Sequence, residues 1–411
     1  MASGGHGGMA HAGGVKALSA AFALSQTEGN NSLPRLPHRF TPLFRVVALL
    51  LIALCPLAAK AGTQWPITVT DAAGRGVTIP ARPKAILLGS GFNLIALSLI
   101  HPDPVSLLAG WSADMKNDNP EIYESFVRKF PRLAEVPQID DGSGPGLSFE
   151  TILTLKADLA ILANWQADTE IGQRAIDYLT GIGVPVIVVD FNGDPLKNTP
   201  DNMRLLGKIF EREAQAEAFA RFYEERLARI RERVARHPEP GPTVLMEAFP
   251  GADRCCWAYG VGGLGEFIDI TGSRNIAAGT LPRPGGMMNA EAIMAENPEV
   301  YIATSSPDGK YSGFSVGPGV SAEEAERTLA EVTGTPVMAS IAAVRAGRVH
   351  GLWNFFNAIP LNIVAAEAFA AWLRPDLFAD VDPAETLAEI NRRFAAVPFE
   401  GSYWISLKTT E

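Results

Sequence analysis

The sequence predicts an α/β protein of two lobes, each a mostly parallel sheet flanked by helices, bridged by one long helix. Three observations carry this. Short apolar runs alternate with helical patterns in both halves of the chain, which is the grammar of βα units and parallel sheets. A long charged helical stretch lies between the halves. Residues 149–162 and 290–303 align without gaps as one helix-into-strand unit, pairing Glu150 with Glu291, Ile152 with Ile293, Asp158 with Glu299 and Ile161 with Ile302.

The elements follow in order. "ITVTDAAGRGVTIP" (67–80) alternates, turns at Gly74 to Gly76 and returns, a hairpin pattern. "AILL" (85–88), "DLAILA" (158–163) and "VPVIVVD" (184–190) read as buried strands separated by helices. Thr199 is a good N-cap and Pro200 suits the first helical position. The helical stretch then runs to about His237, with Gly207 and "EREA" (211–214) as a point of division and Ala218, Phe222, Leu227, Ile230 and Val234 near one stripe. "PEPGP" (238–242) ends it, and "TVLMEAF" (243–249), "EVYIATS" (299–305) and "RVHGLWNF" (348–355) resume the strands. The expected division is a leader over 1–61, a first lobe over 66–198, a connecting helical segment over 199–238 and a second lobe over 239–411.

The leader reads as an export signal. Arg39 and Arg45 flank a short apolar run, and Ala59-Lys60-Ala61 places small residues where a signal peptidase reads them, so cleavage is expected after Ala61. The run is shorter than the roughly 20 residues a membrane span needs. A lipid anchor on Cys55 would want a small residue before it, where bulky Leu54 stands. The leader carries five basic residues and one acid, so the remaining chain of 350 residues has 30 basic and 44 acidic residues, a net charge of −14. That disfavours nucleic acid and anionic lipid as partners.

The hairpin "VTDAAGRGVTIPARPKAILLG", the motif "LSFETILTLKADLAIL", the long helix and "MNAEAIMAENPEVYIAT" together resemble the periplasmic substrate-binding proteins of metal-chelate ABC importers, over about residues 66–405. The resemblance implies a ligand cleft between the lobes and no catalysis. The cargo would be a ferric siderophore, or alternatively cobalamin or haem, with any iron carried inside the bound chelate and no cofactor of the protein's own. It also implies a monomer in the periplasm that docks on an inner-membrane permease through one acid per lobe, here Glu150 and Glu291. Both glutamates also suit a helix start on electrostatic grounds alone.

Ligands of open α/β sheets sit beyond the carboxyl ends of the strands. Reading off those ends yields Ser90, Phe92, Trp111, Trp165, Phe191, Arg254, Cys255, Cys256, Trp257, Tyr259, Ser305, Tyr311, Trp353 and Asn354. Four of the seven tryptophans fall there, and a bulky chelate needs broad aromatic walls with a few polar contacts. Arg254, Arg283 and Lys310 offer charge to an anionic chelate. With Cys55 removed, Cys255 and Cys256 have only each other. Three states stay open for them: a strained vicinal disulfide forming a wall of the cleft, a pair of thiols for a soft metal, or small space-fillers.

Other functions fit less well. After cleavage only His101, His237 and His350 remain, scattered and without metal spacing. Tyr259, Tyr311 and His350 are the candidates for a haem axial ligand. "GVGGLG" (260–265) lacks the context of a dinucleotide site and reads as a turn before a helix, with N–H groups open to an anion. A secreted thiol enzyme, with Cys255 or Cys256 and His350 as nucleophile and base, is the rival class.

Overall fold

A computed structural model describes residues 63–142, 148–251, 256–282, 284–308 and 313–407. The export signal, Arg254, Cys255, Arg283, Lys310 and Tyr311 lie outside the described residues. The chain from Thr63 onward forms one unit.

An antiparallel hairpin opens it, β1 (Ile67–Thr70) against β2 (Gly76–Ile79). The first lobe is a four-stranded parallel sheet of β3 (Ile86–Leu88), β4 (Leu108–Trp111), β5 (Leu159–Ala163) and β6 (Val186–Val189), in the order β4-β3-β5-β6. These strands are apolar without alternation because helices cover both faces. In register, Leu88 lies opposite Trp111 on one side and Ile161 on the other, and Ala163 lies opposite Val189. The carboxyl ends of all four strands therefore share one edge.

The second lobe has a parallel centre of β7 (Thr243–Ala248), β11 (Val300–Ser305) and β13 (Val349–Trp353). Its flanks are antiparallel, with β8 (Trp257–Tyr259) on β7, β10 (Gly285–Met287) on β8, and β15 (Trp404–Ser406) on β13. The short β9 (Arg274–Asn275) runs parallel to the start of β7, and β12 (Gly317–Pro318) pairs with β14 (Gly401–Ser402) apart from this sheet. Ala248 lies opposite Thr304 and Ser305 opposite Trp353. Cys256 and Trp257 enter β8 at that same edge.

Two helices join the lobes. The first, α1 (Pro195–Ile209), begins five residues before the expected first helical position at Pro200. Asp194-Pro195 takes the boundary role assigned to Thr199-Pro200, which leaves Pro200 inside the helix. Thr199 is buried, and its hydroxyl accepts a hydrogen bond from Asn362 Nδ2 at 3.0 Å instead of capping. The second, α2 (Glu213–Arg236), has 24 residues, about 36 Å at 1.5 Å per residue. Glu213 opens it and Arg233 and Arg236 close it, in keeping with the helix dipole. Its buried stripe passes through Phe219, Phe222, Tyr223, Leu227 and Ile230; Ala218, expected on the stripe, is exposed, and Val234 is half-buried.

The internal repeat is structural. Ser148 and Asn289 cap the helices Phe149–Leu155 and Ala290–Glu296 with their side chains. The aligned residues Lys156 and Asn297 end them with φ of 48° and 44°. Asp158 then accepts from the backbone N–H of Ala85 at 3.0 Å, and its counterpart Glu299 accepts from that of Thr243 at 2.9 Å. In each lobe the acid fastens the start of a neighbouring strand.

One apolar core runs from Ile67 in the hairpin through both lobes to Tyr403. Two smaller cores lie one in each lobe, around Leu87 and Ile187's neighbours Val186 and Val188, and around Tyr301. A shared core resists independent motion of the lobes.

Candidate ligand cleft

The two carboxyl edges meet. Phe92 of the first lobe stacks on Phe355 of the second, with ring centroids 4.7 Å apart and planes 11° from parallel. Trp353 Nε1 donates to Asn119 Oδ1 at 2.8 Å, and Asn192 Nδ2 donates to the Asn357 carbonyl at 3.1 Å. The "GVGGLG" turn closes another side, where Gly263 N–H donates to the Gly193 carbonyl at 2.9 Å. That N–H is therefore already committed.

At the first-lobe edge, the Ser90 hydroxyl and the Gly91 N–H each donate to Asp114 at 2.7 Å. A Cβ at Gly91 would stand 2.8 Å from both Asp114 Oδ1 and the Ser112 carbonyl, so only glycine lets the turn close this tightly. Burial pushes the Asp114 carboxyl up to about 6, against the pull of its hydrogen bonds from Ser90, Gly91 and Met115. Asp140, also raised by burial, accepts from Ser112 Oγ at 2.9 Å and from the N–H groups of Ala113 and Gly142. Sequence reasoning missed this carboxylate pair. Asp114 holds the loop through both oxygens and Asp140 through Oδ1, its buried Oδ2 having no hydrogen-bond partner. Among the described residues no group of three or more potential ligands could hold a metal ion.

The four strand-end tryptophans divide two and two. Trp111 and Trp353 are buried in the floor, the former stacked on Tyr123 at 5.8 Å. Trp165 and Trp257 are each 38% exposed. Trp257 lies across Gly285, where a Cβ would meet its ring at 1.9 Å, and meets Tyr259 edge to face at 5.2 Å. Met287, directly opposite Trp257 in β10, is 56% exposed. It too was missed, since "GGMMNA" carries no strand signal.

The remaining candidates are mostly interior. Phe191 is buried in the shared core. The buried Ser305 hydroxyl donates to the Phe314 carbonyl. Tyr259 OH and Thr304 Oγ1 both donate to Asn354 Oδ1, the latter at 2.9 Å. His350 stacks on Trp372 at 4.6 Å, and burial holds its imidazole down to about 3. It sits three residues before the cleft end of β13, about 10 Å away, and so is removed from any ligand there. Cys256 is buried and disulfide-bonded, its partner outside the described residues. A sulfur held in that way is no nucleophile. Glu150 and Glu291 are both exposed in the first turns of the two repeat helices.

Among the described residues no helix is long and apolar enough to cross a membrane. The family model for periplasmic binding proteins matches residues 111–353. A search of curated proteins finds no match. Among solved structures, the TroA-like periplasmic binding protein FepB from Veillonella parvula matches with a TM-score of 0.71 at 21% identity, covering 84% of this chain and 100% of that one. The molybdate-binding MolA from Haemophilus influenzae gives 0.59 at 17% identity, over 82% and 100%. A periplasmic haem-binding protein from Pseudomonas aeruginosa gives 0.53 at 18%, over 80% and 99%. The fold, two lobes with their strand ends facing, is the one these proteins share, and the matched segment runs from the floor residue Trp111 to the floor residue Trp353. The chain belongs to the periplasmic binding protein family, a class of solute-binding proteins.

Proposed function

We propose that this protein is the solute-binding component of an ABC importer that captures a ferric siderophore between its lobes and delivers it to the membrane permease. The observation that carries the reading is the pair of half-open tryptophans, Trp165 and Trp257, one at each lobe edge, with Met287 beside the second. Flat apolar surface of this kind suits a bulky organic chelate better than a bare ion. Ser90 and Asn354 are then scaffold rather than contact, and in this reading Arg254 and Tyr311 would supply charge and a hydroxyl to the ligand. A Cys255–Cys256 disulfide would form a rigid part of the second-lobe wall. Export with cleavage after Ala61 would release a periplasmic monomer with lobes at 66–198 and 239–411.

Titration of tryptophan fluorescence with ferric siderophores, cobalamin and haem tests this. One ferric siderophore class is expected to quench saturably at micromolar or lower concentration, and Trp165→Ala or Trp257→Ala to weaken binding roughly tenfold or more. Saturation by cobalamin or haem alone would replace the cargo. Silence with all three would sink the chelate reading.

Glu150 and Glu291 supply the symmetric acids for docking on basic pockets of the permease. The double variant Glu150→Lys/Glu291→Lys should bind ligand as the parent does yet lose about tenfold or more of permease-dependent uptake, because like charges meet at the interface. Undiminished uptake would leave the two glutamates as helix-start residues only.

A further inference from the structure

We propose that the recess behind the lobe junction, on α2's first turn, is a binding site for a small tetrahedral oxyanion of the phosphate class. The recess has a volume of 570 Å³ and lies among Ser98–Pro102, Lys129, the start of α2 and Arg392–Ala396. His101, Lys129, Arg392 and Arg393 line it, and no carboxylate does. That is a concentration of positive charge in a chain whose net charge is −10.

The hydrogen bonds are unfinished there. The Asp103 N–H donates to His101 Nδ1 at 3.2 Å, so the proton of a neutral ring sits on Nε2. That nitrogen faces Arg212 Nη2 at 3.5 Å, and neither atom can accept from the other. The other tautomer only moves the conflict to the Asp103 N–H. His101 is 91% buried by its 9% exposure, so water does not freely resolve it. Arg212 does not itself line the recess but lies beside His101, and its buried Nε has no hydrogen-bond partner. Burial first, and then the Arg212 charge, hold the His101 ring below its ordinary value, while Asp103 pulls it the other way. Among the described residues neither Lys129 nor Arg392 makes an ion pair, whereas Arg393 is shared with Glu389.

An oxyanion supplies what all of these lack, several acceptors and negative charge in one compact group. The N-terminus of the 24-residue α2 adds partial positive charge from a fourth side. The site joins three parts of the junction: the first lobe, the bridging helix and the C-terminal segment. Ala396 N–H already donates to the Ser98 carbonyl at 2.9 Å across the same place. A bound oxyanion would fasten that junction further.

The test follows the histidine ring signals by NMR while the purified protein is titrated with inorganic phosphate or sulfate to about 20 mM, with ionic strength held constant by chloride. A saturable shift of His101 is expected, with His237 and His350 unmoved. Lys129→Gln/Arg392→Gln, which removes two exposed unpaired cations, should weaken the apparent affinity about tenfold or more and melt at the parent's temperature without phosphate. A His101 response that follows ionic strength alone, or one equal in parent and variant, would overturn the proposal. So would a response to phosphatidylglycerol vesicles but not to inorganic phosphate, which would identify a membrane surface instead.

Discussion

Arg226→Ala is expected to destabilise the protein by about 3–5 kcal/mol. Arg226 stands on α2, its side chain 13% exposed, and holds the C-terminal helices against the bridge. Its Nη2 donates to Glu389 Oε2 at 2.6 Å and its Nε to Thr386 Oγ1 at 3.2 Å. The guanidinium lies 3.6 Å from the centre of the Phe222 ring. Behind it, 3.6 Å away, is Glu367, whose side chain is 3% exposed. Burial raises the Glu367 carboxyl, and Arg226 is among the groups that pull it back down. Truncation therefore leaves a buried carboxylate without its cation, which costs more than the pair itself contributes. Urea unfolding at pH 7 measures the loss. Arg226→Met/Glu367→Gln should recover most of it, because both charges leave together and the ring keeps an apolar neighbour. A loss below about 1 kcal/mol for Arg226→Ala would place the pair among exposed bridges of little consequence.

The strands were legible because buried parallel strands are written as unbroken apolar runs, and Ile86–Leu88 and Val186–Val189 are such runs. The repeat was legible because its acids do local work: Asp158 and Glu299 bind backbone only one strand away. The helix start was not. Asp194-Pro195 and Thr199-Pro200 are both acceptable cap-and-proline pairs, and tertiary burial of Leu196 and Thr199 selects the earlier. Ala218 and Phe219 differ by 100° around a helix, too little for periodicity to separate once the partner surface is unknown.

At the cleft the strand-end rule locates an edge but not the direction of a ring. Trp111 and Trp353 turn into the floor while Trp165 and Trp257 stay half-open, a choice made by neighbours such as Tyr123, Asn119 and Gly285. The hold of Asp114 on Ser90 spans 24 residues of sequence, and nothing in "WSADMKND" marks that aspartate as anything but a helix-start acid.

Glu247→Gln should remove a pH dependence of stability worth about 3 kcal/mol. Glu247 lies within β7, on the sheet face that carries Cys256, Ala258 and Tyr301. It borders a cavity of 190 Å³ with Cys256, Val332 and Met338. Its one described partner is the Tyr301 hydroxyl, which donates to Oε2 at 2.7 Å. Burial dominates, and the carboxyl is pushed from 4.5 up to about 7. The native state thus holds its proton more tightly than the unfolded chain does. Below about pH 4.5 both states are protonated and the contribution of this group is complete. As pH rises toward 7 the unfolded chain releases the proton first, so stability falls, and above pH 7 the full difference has been lost. Glutamine keeps an oxygen for the Tyr301 hydroxyl and cannot ionise, so its stability should not change through this window on account of position 247. Asp114, raised to about 6, pulls in the same direction, but equally in both proteins. Urea unfolding of parent and variant at pH 5.0 and pH 8.5 isolates the effect of Glu247, because only the difference between the two proteins is compared. That difference should swing toward the variant by about 2.5 kcal/mol on going to the higher pH, since the unfolded chain has already released part of the proton at pH 5.0. Parallel profiles would mean that the Glu247 carboxyl is solvated through the cavity beside Cys256 and titrates as an ordinary surface acid.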